Sequence, residues 1–525
     1  MILITSAAYI SNELRIEFGV IPPCLLPIGN RTLLEYQAES IRKMSNEKIF
    51  LTLPEDYCLS KFEERLLDSL NIRAIYLSPN LSLGESIYQA LDSIGDYTFS
   101  SDGLKLLHGD TLINDLTNQN DIIAVAPSSD DYFWEKEEHT YENLAWCGYF
   151  TFSMPNIFKG FLEASRFNFV QAVRSYDEVI HLSRMKPKSW DDLGHLNTYF
   201  ISRSNITTQR AFNEMRIQHG MVWKSSKNNK KILAETNWYK KIPALLKSFT
   251  PQLIEDGIYN KTGNYFYTLE YLPYIPLNEI FVHGKNPDFF WRKIFNIIKE
   301  YLFKANSALT NISQNNIGEK IAIDSEALYR TKTFVRLTEY AVENNISIDK
   351  PVFYDNRRLP SLHDIASDCI DRTTQLPIVP SILHGDLCFS NILFNSRLNS
   401  IKVLEPRGIS HNGEETILGD QKYDLAKLCH SVIGLYDYVI SGRYHLDGDL
   451  FNNAVIRFDI DTRIKSIQQE FYEYKFLSNI SVGEIMPLTT LLFLSMLPLH
   501  SDRPDRQKAM LFNALRIYST YVYDV

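Results

Sequence analysis

The chain is poor in the features that would assign it quickly to a class. It has six cysteines in 525 residues (Cys24, Cys58, Cys147, Cys369, Cys388, Cys429), scattered and with no C-x-x-C pair. A zinc site or a disulfide framework is therefore not expected, and a reducing cytoplasm is the expected compartment. It has no excess of basic residues. The net charge of −9 argues against nucleic acid as the main partner, because a phosphate backbone needs a cationic footprint. No basic stretch followed by an apolar run opens the sequence, so secretion is not expected. The longest late apolar run, "LTTLLFLSMLPL" from Leu488 to Leu499, is too short to span a bilayer and contains Pro498; it reads as a buried helix. There is no low-complexity segment and no solenoid period.

What is there is ample core material: hydrophobic residues make up 45% and charged residues 22%, and the length implies more than one domain. Over the first two hundred or so residues short apolar runs ("MILITSA", "KIFLTLP", "IRAIYLS", "LKLLHGD", "DIIAVAP", "CGYFTFS") alternate with amphipathic stretches such as "LLEYQAESIRKM" and "LSKFEERLLDSL". That pattern predicts an α/β, Rossmann-like domain with a mostly parallel sheet covered on both faces, its functional groups at the carboxyl ends of the strands. "RSNITTQRAFNEMRIQHG" reads as a connector. Beyond it a strand-rich stretch, about 218–275, precedes long helical stretches, about 276–525, notably "FFWRKIFNIIKEYLFKAN" and "SEALYRTKTFVRLTEYAVE". The expected division is 1–205 and 206–525, the second part an α+β bilobal domain.

The tetrapeptide LHGD occurs twice, in "KLLHGDTLIND" (Lys105–Asp115) and "SILHGDLCFSN" (Ser381–Asn391). After the second, "ILF" and "IKVL" flank the turn-rich "NSRLNS". Paired as an antiparallel hairpin, facing residue numbers sum to about 795, which sets Asn391 beside Glu405 with Asp386 on the loop just before. H-G-D-x-x-x-x-N, then "LEPRG" and "GDQKYDLAKLCHS", resembles the catalytic segment of the aminoglycoside phosphotransferase and choline kinase family. The resemblance implies a protein-kinase-like fold using ATP and Mg²⁺. In it Asp386 takes the proton of a substrate hydroxyl, Asn391 holds magnesium, and Glu405 stands where the family usually has Asp. It also implies a phosphate-gripping lysine on the small lobe. Lys224 in "MVWKSS" is the first choice, with Glu235 at the start of "AETNWYKKIPALL" as its ion-pair partner; Lys230 and Lys231 compete for the role. "TLEYLP", with Glu270, Tyr271 and Leu272, resembles the hinge that meets adenine through its backbone. No Gly-rich loop precedes Lys224.

The first LHGD has other neighbours. "LLPIGNRTLLEY" (Leu25–Tyr36), "LLHGDTLI", "WCGYFTFS" and "SWDDLGHLNTY" resemble successive segments of the sugar-nucleotidyltransferases. That resemblance implies a second nucleoside triphosphate (CTP, UTP or GTP), Mg²⁺ clamped by Asp110 and Asp192, and nucleotide contacts from Ala7 and Ala8 and from Gly84 and Glu85 in "LSLGESIYQAL". The family's A-A-G-x-G-x-R is here "AAYISNEL", without the glycines that bring backbone N–H groups to phosphate, and its P-K is Pro22-Pro23; Arg15 or Arg31 are the candidate substitutes for the lysine. His108 and His384 read as residues that order their loops. Together the resemblances imply a bacterial bifunctional protein of capsular or lipopolysaccharide precursor synthesis. It would phosphorylate a small hydroxyl compound (a sugar, polyol or amino alcohol) and then couple the phosphate to a nucleotide. The alternatives are a kinase with a non-catalytic nucleotide-binding N-terminal domain, and a regulatory protein with two degenerate sites.

Overall fold

Strands buried on both faces need apolar residues at consecutive positions rather than alternate ones, and this is how the first third of the chain is built. In the computed structural model, which describes residues 1–95, 103–127, 135–137, 143–206, 213–260, 262–311 and 316–523, the chain separates into two units. Unit 1 comprises Met1–Thr207 with His283–Lys285, and unit 2 comprises Thr208–Val282 with Asn286–Val525.

Unit 1 carries a seven-stranded sheet. Ile2–Thr5 runs parallel to both Ile49–Pro54 and Leu104–His108, and Ile72–Leu77 extends the sheet parallel to Ile49–Pro54. Leu144–Phe152 enters antiparallel between Leu104–His108 and Ile122–Pro127, and Ser183–Met185 closes the other edge. Alternate side chains of each strand feed two cores. Leu3, Phe50, Leu106, Val125 and Phe150 line one face, and Ile2, Ile4, Leu51, Leu107 and Tyr149 the other. The sheet is thus mostly parallel, with one reversed strand that starts at Leu144 rather than Cys147.

Unit 2 begins with a four-stranded antiparallel sheet in the order Asn213–Gln218, Met221–Ser226, Asn264–Glu270, Leu253–Tyr259. The stretch read as a connector therefore ends in a strand, and residues 207–212 lie outside the described ones. The helix Asn229–Lys241, capped by the Asn228 side chain on the Lys231 N–H, packs on this sheet and stops before Pro243. It starts earlier than the sequence suggests, so Glu235 is in its middle. A helical lobe follows, containing Asp288–Ser307, Leu362–Gln375, Lys422–Val432, Val482–Ser495 and Pro504–Tyr521. "SEALYRTKTFVRLTEYAVE", read as one helical stretch, breaks at Arg330 into Ile317–Tyr329 and Thr331–Asn344. Val482–Ser495 is buried nearly all round, which explains its apolar sequence. No helix among the described residues is long and apolar enough to cross a membrane.

Candidate functional site

In unit 2 the hairpin Ile392–Asn395/Ser400–Val403 pairs Ile392 with Val403 and Asn395 with Ser400. Just beyond its open end the Leu404 N–H donates to the Asn391 carbonyl at 2.8 Å. Asn391 turns its side-chain N–H toward Asp386, donating to the backbone oxygen at 2.9 Å and to Oδ2 at 3.1 Å. The loop between is held from below. Asp424, on the helix Lys422–Val432, accepts the N–H groups of His384 (2.9 Å) and Gly385 (2.7 Å). Gly385 has φ +78°, and a Cβ there would stand 2.8 Å from the Arg407 Cβ, so the position takes glycine for both reasons. His384 is fully buried, which pushes its imidazole down to about 4; its Nδ1 accepts the Asp386 N–H at 3.2 Å. Burial alone would raise the Asp386 carboxyl. The Lys427 ammonium 2.9 Å away, with smaller contributions from His384 and Arg407, overrides it and holds Asp386 below the usual carboxylate range.

Lys224 lies on Met221–Ser226 opposite Tyr267 and is 3% exposed. Its Nζ sits 2.8 Å from Glu235 Oε2 and 3.2 Å from Glu405 Oε1. Burial lowers its pKa, but the two carboxylates outweigh that, so the net shift is upward and the ammonium is retained. The Tyr267 hydroxyl donates to the same Glu235 oxygen at 2.7 Å. Of the competing lysines, Lys231 reaches Glu235 only at 3.7 Å from an exposed position, and Lys230 lies against Gly413. Lys224 is thus the lysine that bridges the small sheet, the helix and the hairpin. Glu405 has φ +56°, a left-handed backbone costly for a residue other than glycine. In the hinge-like segment, the Glu270 N–H donates to Gln252 and the Tyr271 N–H to Gly220. Two of the trio expected to meet adenine thus have their N–H groups engaged within the small lobe.

In unit 1 the antiparallel pair Thr111–Ile113/Trp190–Asp192 sets Asp192 opposite Thr111, next to Asp110. The Leu193 N–H donates to the Asp110 carbonyl at 2.9 Å. Gly194 leaves the approach open: a Cβ there would stand 2.5 Å from Asp110 Oδ2. Asp192 is oriented by Thr198 Oγ1 and by His195 Nδ1 at 2.9 Å. His195 is pushed up by that bond and by the Asp192, Asp110 and Glu13 charges, against burial. Burial and the neighbouring Asp192 push Asp110 up to about 6. Two carboxylates this close repel in the absence of a cation. An Asp whose folded pKa is raised contributes stability that is present below its unfolded value and lost as pH rises through about 6. Asp110→Asn is therefore expected to stabilise unit 1 at pH 7.5 in chelator by about 1 kcal/mol, allowing for solvent screening of a half-buried group. The gain should shrink as pH falls through about 6 and disappear below about pH 4, where the unfolded carboxyl is protonated as well; urea unfolding across that range checks it.

The other unit 1 positions have local duties. Ala7 is buried and Ala8 exposed, in a loop anchored by the Ser6 N–H on Thr52 Oγ1 and by Ser6 Oγ on the Cys24 N–H. Gly84 is packed against the Phe167 backbone, where a Cβ would come within 2.0 Å of the carbonyl oxygen. Glu85 closes a capping box with Ser82. Arg15 donates to the Ile10 carbonyl at 2.8 Å, and Arg31 pairs with Glu39 at 2.7 Å and Glu35 at 3.4 Å. His108 is half-buried against Phe150 and Phe169, and loss of solvent around its ring pushes it down to about 4.

No protein-family model matches the chain, and no curated protein matches it. Among solved structures, UTP-bound UGPase from Acinetobacter baumannii is 17% identical and covers 38% of this chain and 91% of its own, with a TM-score of 0.28. A choline/ethanolamine kinase family protein from Mesorhizobium loti is 12% identical over 60% of this chain and 87% of its own, TM-score 0.34. The GDP complex of aminoglycoside 2'-phosphotransferase-IIIa is 16% identical over 60% and 91%, TM-score 0.35. The chemistry is read from the side chains.

The donor sets suit magnesium. Asn391 presents an amide oxygen, its nitrogen being turned to Asp386, and Glu405 a carboxylate; both are hard oxygen ligands. Among the described residues no three or more His, Cys, Asp or Glu side chains are placed to hold a metal together. Several residues of the unit 2 site escape the sequence reading: Lys427, Asp424, Arg407, Tyr423 and Tyr267. A signal existed for three of them, because "KYDLAK" on a helix puts Tyr423 and Asp424 within one turn of Lys427.

Proposed function

We propose that unit 2 is an ATP-dependent phosphotransferase acting on a small hydroxyl compound. The observation that carries this reading is the buried Lys224 held between Glu235 and Glu405, with Asp386 and Asn391 on the loop and hairpin that present Glu405. Lys224 would grip the nucleotide phosphates and Glu235 would keep it in place. Bound at Asn391 and Glu405, Mg²⁺ would neutralise charge on the triphosphate. The acceptor hydroxyl oxygen bonds to the γ-phosphorus as the β,γ-bridging P–O bond breaks. The electron pair of that bond leaves with ADP, and the hydroxyl proton passes to Asp386, which the Lys427 ion pair keeps ionised.

Unit 1 is read as a nucleotidyltransferase, in which a phosphate oxygen of the phosphorylated product attacks the α-phosphorus of CTP, UTP or GTP and pyrophosphate leaves. Asp110 and Asp192 would hold its Mg²⁺. Joining both activities in one chain raises the effective concentration of the intermediate and suits a bacterial protein of surface-polysaccharide precursor synthesis. A second reading, a kinase with a non-catalytic nucleotide-binding unit 1, draws on Arg15 and Arg31. Both substitutes for the missing lysine are engaged locally. Mass spectrometry of products from the full chain with ATP, an NTP mixture, Mg²⁺ and a metabolite panel tests both. The first reading expects ADP, pyrophosphate and a nucleotide-activated product, the second ADP and a phosphorylated acceptor alone. Absence of all of these would leave a regulatory protein.

A further inference from the structure

Four cationic side chains, Lys427, Arg407, Lys332 and Arg336, gather around the Asp386 loop. Lys427 is the one paired with Asp386 itself. Arg407 follows the hairpin; its N–H donates to the His384 carbonyl and its guanidinium lies 4.6 Å above the Tyr423 ring. Tyr423 is buried, and the Tyr329 ring stacks on it at 6.4 Å. That contact brings in the start of the helix Thr331–Asn344, where Lys332 and Arg336 stand one turn apart on one face. Arg336 donates to the Ser495 carbonyl at 2.8 Å. Among the described residues no carboxylate forms an ion pair with Lys332, Arg336 or Arg407. Glu339 acts on Arg336, and Asp386 and Asp424 on Arg407, through space only; Asp424 takes the His384 and Gly385 N–H groups, and Asp324 takes the His411 N–H at 2.9 Å.

The electrostatics of the cluster agree. Burial pushes the Tyr423 hydroxyl up, yet the Lys332, Arg407 and Lys427 charges bring it down to about 7. Burial, with the Arg407, Arg336 and Lys427 charges, brings the Lys332 ammonium down to about 8. Like charges held together at partly exposed positions are costly unless a ligand brings the opposite charge.

Building on the phosphotransferase reading of unit 2, we propose that the acceptor is itself an anion, a hydroxyl compound that also carries a phosphate or carboxylate group, which Lys332, Arg336 and Arg407 bind. Ammonium and guanidinium groups together suit such an oxyanion, and they disfavour the cationic amino alcohols. Phosphoryl transfer at Asp386 is unchanged in its bonds; the second anionic group orients the hydroxyl.

The test uses the full chain with ATP and Mg²⁺ and four acceptor classes: neutral sugars and polyols, amino alcohols including choline, sugar and polyol phosphates, and hydroxy acids. ADP release is measured above the rate without acceptor. The expected result is turnover confined to the two anionic classes. Lys332→Gln should raise the acceptor KM about tenfold or more, the loss of one charge-assisted contact, with the ATP KM unchanged, and Lys332→Arg should restore it. A neutral or cationic acceptor with the highest kcat/KM, or an acceptor KM unmoved by Lys332→Gln, overturns the proposal and leaves the phosphotransferase reading standing. Calorimetric titration with inorganic phosphate separates the two ideas. If no acceptor is phosphorylated, the phosphotransferase reading fails, while phosphate binding weakened about tenfold in Lys332→Gln upholds the anion site. Phosphate binding equal in wild type and Lys332→Gln overturns it.

Discussion

Asp386→Ala is expected to cut acceptor-dependent ADP formation by about 10²–10⁴-fold, the usual contribution of a positioned general base, with the ATP KM little changed. Nothing else in the loop can take over the proton. His384 is buried and neutral with Nδ1 already occupied by the Asp386 N–H, and Asn391 presents an amide. Asp386→Asn keeps the shape of the loop and should lose as much activity, which separates proton acceptance from folding. Pyrophosphate release from a supplied phosphorylated acceptor and NTP should be unaffected in both variants, whereas Asp110→Ala should stop that release and spare ADP formation. A folded variant that lost both partial reactions would show that the two sites are not independent.

Lys224→Met should be the most damaging single change to stability as well as to turnover. It removes the cation between Glu235, 1% exposed, and Glu405. Breaking a buried pair from one side typically costs about 3–5 kcal/mol, because the remaining charge is uncompensated. In the wild type the folded pKa of Lys224 is raised, so its contribution is fully present below the ordinary lysine value and is lost only as pH rises through that higher pKa. In the variant the buried acid is left without its principal cation, so stability should be regained in part as pH falls. Thermal unfolding between pH 8 and 5 would show this. The double variant Lys224→Met/Glu235→Gln should regain much of the lost stability and none of the ADP formation. Recovery of activity in the double variant would remove Lys224 from phosphate binding.

Much of the geometry around these residues is short-range in sequence. The hairpin register follows from two apolar runs around "NSRLNS", but it brings Leu404 to Asn391, one residue before the Glu405 that the sequence placed there. Lys224 and Glu235 are joined by a strand, one turn and part of a helix, and they meet where the helix packs on the sheet, with Tyr239 against Tyr267 beside Lys224. The mostly parallel sheet of unit 1 is likewise written in continuous apolar runs. The reversal of Leu144–Phe152 is not: strand direction depends on pairing partners, and a strand buried on both faces has the same composition in either sense. The break at Arg330 is equally silent, since both flanking segments have helical periodicity.

The sequence by itself determined the apolar strands and helices and the hairpin that follows Asp386, because periodicity and turn chemistry act between neighbours. Tertiary structure alone decided that Glu405 shares Lys224 with Glu235, that Lys427 pairs with Asp386, and that Lys332, Arg336 and Arg407 gather near Tyr423 with no carboxylate ion-paired to them among the described residues. Those residues come from segments far apart in the chain. A net charge of −9 gives no hint that one site is locally positive, because the potential at a point depends on which charges lie within a few ångströms of it and not on their total.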